Sequence, residues 1–135
     1  MDLIRWIVVG LVIALLIAGV LNYIPGLTDA QGRAFGIFAL DIYDDALHLA
    51  SALWAALAAW TSRQASVNFL KIFGSLYLLD GLLGLATGSG YLDLGIFIYG
   101  VQSFPLMIKV FGNLPHLLLG GLAVFSGFIL SKRAA

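Results

Sequence analysis

Apolar positions run along this chain in long blocks broken by single polar residues, not in the alternation of half-buried strands. Residues 3–24 hold one charge, Arg5, beside Trp6 at the start. About 20 helical residues cross a hydrocarbon core, so this block is expected to be a membrane span and not a removed leader. The turn Tyr23-Ile24-Pro25-Gly26 opens a connection through Thr28, Asp29, Gln31 and Arg33, after which the apolar residues 36–40 lead back. A second helix is expected over about 44–61; its fully apolar part is short, so its ends sit at the interface or the bilayer thins. A short connection, 61–68, leads to a third helix over about 69–88, and the fourth is expected over about 114–131.

Composition makes the membrane setting firm. Of 135 residues, 61% are hydrophobic and only 10% charged, with a mean hydropathy of +1.03, far from the balance of a soluble domain. Net charge is zero and no basic run exists, so a nucleic-acid partner is not indicated. Cysteine is absent, which excludes disulfides and thiolate metal sites. With four spans and both termini inside, Arg5, Arg63, Lys71, Lys132 and Arg133 lie on the inner side, against only Arg33 and Lys109 outside. That bias follows the positive-inside rule.

Residues 94–112 are apolar enough to invite a fifth span. They contain Gln102, Pro105 and Lys109, and a fifth span would leave only residues 113–115 for the next turn and would move Lys132 and Arg133 outside. The stretch is therefore read as interfacial or re-entrant, which requires protein or water to cover its irregular backbone.

One pattern recurs. Asp45-x-x-His48 is followed by Ala52, Ala55 and Ala59; Asn113-x-x-His116 is followed at the same offsets by Gly120, Ala123 and Gly127. These offsets fall on one helix face, so each histidine heads a stripe of small residues. The predicted fold is all-α: an integral membrane four-helix bundle of two parallel helical-hairpin repeats, with an interfacial or re-entrant outer segment.

Candidate chemistry is sparse. His48 and His116 sit at matching depth, and Asp80 lies in the same half of the third helix, so the three are expected to form a buried polar cluster. Asp80 inside a span needs a partner, and His48, His116 and Tyr77 are the candidates. The first reading is structural: Asp45 and Asn113 as N-caps, Pro115 in a first turn, and the small stripes as close-contact faces. The sharper reading is ligation. Two imidazoles at one level could hold a haem iron, the magnesium of a chlorophyll-type pigment, or a divalent metal completed by Asp80 or Asp44.

The order of features resembles the uncharacterised prokaryotic four-helix membrane family catalogued as domain of unknown function 4383. The resembling parts are the Gly19-to-Thr28 stretch after the first helix, the His48 stretch, the third-helix run from Phe69 to Tyr77 with Gly81 and Gly84, and Asn113-x-x-His116. The family's second helix has His-Asn-x-x-His where this chain has Asp44-Asp45-Ala-Leu-His48. The resemblance implies a prokaryotic cytoplasmic membrane and brings no activity with it.

Three functions follow as expectations. The first is a structural or accessory subunit, not an enzyme, partnered by the bilayer and by other membrane subunits or further copies of itself, with the apolar outer segment as docking surface. The second is a haem-, pigment- or metal-binding protein using His48 and His116. The third is a small transporter, for which parallel repeats give no particular support.

Overall fold

The computed structural model describes residues 1–133, and among them there is no strand, only isolated bridges joining Thr28, Ala34 and Phe38. Helix α1 (Leu3–Val20) is capped by Asp2, whose carboxylate accepts from the Arg5 amide at 3.0 Å, and it ends in a 3₁₀ turn, Leu21–Tyr23. Helix α2 (Ile42–Thr61) begins at a capping box: Asp41 accepts from the amides of Tyr43 and Asp44, and Asp44 accepts from the Asp41 amide. Asp41 is thus the cap, and Asp45, expected in that role, is already in the first turn.

The connection expected over 61–68 shrinks to one residue. Ser62 is extended (φ −168°, ψ 166°), donates its amide to Ala58 O and accepts from the Ala65 amide, so it ends α2 and starts α3 (Arg63–Thr87) at once. Gly88, at φ +82°, closes α3 in the left-handed conformation that glycine adopts without penalty. A short α4 (Gly95–Tyr99) precedes α5 (Leu106–Phe125), which runs on through a π-helical stretch, Ser126–Leu130, and a last turn, α6 (Ser131–Arg133).

Residues 94–112 are therefore neither one span nor one surface element. They divide between α4, an irregular bend and the first turns of α5. The last helix starts at Leu106, not near 114, so Asn113 is an interior residue and not a cap, and Pro115 stands inside the helix. Pro115 has no amide to donate to the carbonyl four residues earlier, which is why the sequence reads as a helix start there.

Among the described residues, three stretches are long and apolar enough to cross a membrane: Leu3–Tyr23, Arg63–Thr87 and Leu106–Arg133. Helix α2 matches α1 in length but carries Asp44, Asp45, His48 and Ser51, all of them buried, while Leu53, Leu57 and Trp60 face outward. Its polarity is turned inward.

The helices associate mainly as α1 with α2 and α3 with α5, and α3 also touches α2 and α1. Small residues set the closest approach, as expected where van der Waals contact rather than water drives association. A Cβ on Gly120 would lie 2.5 Å from the Leu78 amide nitrogen, and one on Gly74 would lie 2.7 Å from that of Val124. Ala123 is fully buried on the same α5 face, and a Cβ on Gly127 would lie 3.0 Å from the Lys71 amide nitrogen. Ala52, Ala55 and Ala59 are buried in the core with Ile4, Val8, Leu11 and Leu15 of α1.

The two ends of the bundle differ. At the end bearing the chain termini, Arg5 donates to Ala59 O (2.7 Å) and Trp60 O (3.0 Å), and Arg63 donates to Ser131 O (2.6 Å). Helix α1 meets the last helix chiefly there, through Ser126–Leu130. Toward the other end α1 and α5 diverge, and the loops before α2 and around α4 line the space that opens there.

Candidate functional site

That divergence leaves a cavity of about 950 Å³ bounded by the ends of α1 and α3, the start of α2, the first half of α5 and the two loops. His48, His116, Asp80, Asp44 and Asn113 all line it. Gly120 seated on Leu78 and Gly81 seated on Leu117 fix the register of α5 on α3, and this register brings His116 beside Asp80.

Asp80 is 3% exposed, and every one of its contacts is a donor. Oδ1 accepts from the amides of Tyr91 (2.8 Å) and Leu92 (3.0 Å), and Oδ2 is bonded to His116 Nδ1. The turn that delivers those amides depends on Gly90, where a Cβ would stand 2.5 Å from Asp80 Oδ1. A carboxyl held by two amides favours its ionised form, so the proton shared with His116 belongs to Nδ1, and in the neutral imidazole Nε2 carries the lone pair. A carboxylate that fixes one ring nitrogen while the other stays basic is the arrangement used to orient ligating histidines.

The His116 ring ends a column of aromatic contacts. Tyr77 lies 4.7 Å from it, Phe73 is 4.0 Å from Tyr77, Phe69 is 4.8 Å from Phe73, and Trp54 meets Phe69 edge-on at 4.8 Å. Tyr77 is not the partner of Asp80; its hydroxyl pairs with Ser51 at 3.0 Å. His48 stands edge-on to His116 with ring centroids 5.8 Å apart; it is 6% exposed and its Nδ1 has no partner.

The remaining sequence candidates divide. Asp44 serves the capping box and lies within hydrogen-bonding contact of the Asp93 carboxyl at the cavity wall. Asp45 belongs to a separate cluster: its Oδ2 accepts from Tyr23 Oη (2.7 Å) and Asn22 Nδ2 (3.3 Å). Asn113 donates to Lys109 O (2.7 Å) and lies against Gly84, where a Cβ would overlap its side chain. Among the described residues, no group of three or more His, Asp or Glu side chains converges as a metal site. Asp80 is engaged by His116 through Oδ2 and by two loop amides through Oδ1, and Asp44, the other expected oxygen ligand, lines the same cavity.

Ser51, Asn22, Tyr23 and Asp93 are parts of these networks that the sequence does not single out. Only Ser51 left a signal, being one turn beyond His48 on the same helix face. Outside the long helices, Asp41 accepts from the Tyr99 hydroxyl at 3.0 Å. Burial pushes the Asp41 carboxyl up, but the amides of Asp44 and Tyr43 and the Tyr99 hydroxyl outweigh that and hold it below the usual carboxylate range. The same bond raises the Tyr99 phenol.

No protein family, curated protein or solved structure was found to match this chain.

Proposed function

We propose that this chain is a four-span protein of a prokaryotic cytoplasmic membrane that binds a small ligand in the cavity between α1 and α5, with Nε2 of His116 as its principal contact. The observation that carries the reading is the Asp80–His116 pair: a buried carboxylate, satisfied by two amides, holds one imidazole in a single tautomer at the wall of a cavity of about 950 Å³. Cavities of about 300–1,000 Å³ with a few convergent polar groups are the usual form of small-molecule sites. Helix α2 is the fourth span in this reading, because Asp44, Asp45, His48 and Ser51 are all buried in the interior. The excess of Arg and Lys at the terminal end supports placing that end in the cytoplasm and the cavity toward the outside. The hairpins α1–α2 and α3–α5, each with a histidine above a small-residue stripe, fit two parallel repeats.

A haem or pigment is one form the ligand could take; His116 would supply a nitrogen to its metal, with His48 edge-on beside it. The accessory-subunit reading keeps one observation in its favour: Phe97, Val101, Leu106 and Met107 are 71–78% exposed in one run of chain.

The test is purification from the native membrane in mild detergent, with a visible spectrum and mass spectrometry of the extracted small molecules, on wild type and His116→Ala. A companion molecule present in stoichiometric amount and lost from His116→Ala supports the proposal. A ligand-free wild-type protein bound stably to other subunits overturns it and favours the accessory role.

A further inference from the structure

We propose that the cavity is filled sideways from the bilayer, through the gap between α1 and α5, by a membrane-resident amphiphile whose headgroup donates hydrogen bonds. This rests on the ligand-binding reading and names the class of ligand and its route. The route follows from the packing. Helix α1 meets the last helix chiefly at Ser126–Leu130, so along the cavity the two helices stand apart. The walls of the gap are Ala14, Ile17 and Ala18 on one side and Leu118 and Leu119 on the other. Ile17 and Leu118 are 53% and 62% exposed, so the apolar surface of the cavity is continuous with the surface that faces the acyl chains. Ala14 and Ala18, one helical turn apart, leave room between the helices where larger side chains would close it.

The headgroup class follows from what the polar wall lacks. Four carboxyls line the cavity, Asp44 and Asp93 in contact with each other and Asp41 and Asp80 engaged by protein donors, against two cations, Lys109 and Arg33, the latter over the Phe104 ring at 5.8 Å. His116 presents a lone pair, and His48, more than nine-tenths buried, keeps an unpartnered Nδ1. Carboxyls outnumber cations in the wall. An ammonium or hydroxyl head complements it, and a carboxylate or phosphate head meets like charge.

The full chain in phosphatidylcholine nanodiscs can be labelled with two photoactivatable probes, hexadecylamine and palmitic acid, each carrying a diazirine near the head and an alkyne on the tail. The amine is expected to label residues 14–21 and 111–119 in preference to the acid, by on the order of tenfold. Ala18→Trp, which plugs the gap, is expected to remove that labelling, and Ile13→Trp, on the lipid face of the same helix, to keep it. Equal labelling by both probes, or labelling that Ala18→Trp leaves unchanged, overturns the proposal. If Ala18→Trp protein from native membrane still carries the companion molecule defined above, lateral entry fails while ligand binding stands; if wild type carries neither label nor companion, both fail.

Discussion

Replacing Asp80 by Asn and by Ala should separate its structural role from its chemical one. Asp80→Ala removes the acceptor for three donors, the Tyr91 and Leu92 amides and His116 Nδ1–H. An unsatisfied buried donor costs about 1–3 kcal/mol, and the half-buried amides regain part of this from water, so the expected loss is about 3–5 kcal/mol. Asp80→Asn keeps one carbonyl oxygen for the two amides and loses a single hydrogen bond to an ionised group, about 1–2 kcal/mol. Its amide group, however, donates where the carboxylate accepted. His116 must then carry its proton on Nε2, which turns the cavity-facing nitrogen from acceptor to donor. Ligand affinity is expected to fall by roughly tenfold or more, as when the outer partner of a ligating histidine is removed. Thermal unfolding in detergent reads the stability difference, and nitrogen NMR of labelled histidine reads the tautomer. Equal stability of the two variants, or an Nδ1–H tautomer persisting in Asp80→Asn, would refute the reasoning.

Gly120→Ala places a methyl 2.5 Å from the backbone of Leu78; overpacking of about 1–3 kcal/mol outweighs a helix-propensity gain of about 1 kcal/mol, so the unfolding midpoint should fall. Gly121→Ala, with nothing within 4 Å, should raise it. Arg5→Ala strips the donors from Ala59 O and Trp60 O and should destabilise by about 1–2 kcal/mol in the same assay. Asp41→Ala should cost about 1 kcal/mol as a lost cap. Because the Asp41 carboxyl is held below its unfolded value, its contribution is present above pH about 3.9 and is lost as pH falls through the lower folded value. Tyr99→Phe removes one of the bonds that lower it, so acid unfolding in that variant should set in at a higher pH.

Much of the helical plan can be read from hydrophobicity alone, because a block such as residues 3–24 is long and apolar enough to cross a membrane. The boundaries are less visible. One extended residue, Ser62, separates α2 from α3 where polar composition suggests a loop of several. Asn113 and Pro115 carry the composition of a helix start yet lie in the interior of α5, since a start requires free amides and not merely residues suited to one. In the site, the gathering of His48, His116 and Asp80 follows from their depth. Which of three candidates binds Asp80 depends on the register of α5 on α3, set by glycines 74, 81 and 120 across an interface that no local pattern encodes. The two amides that complete the Asp80 site belong to a loop whose return path is a tertiary property.

The most direct measurement is a crystal structure of the protein grown from a lipidic mesophase seeded with its native lipids. The account predicts ordered density inside the cavity, within hydrogen-bonding distance of His116 Nε2 and continuous with the gap between α1 and α5. Helices α1 and α5 closed against each other along their whole length, with His116 Nε2 bonded to protein, would contradict it.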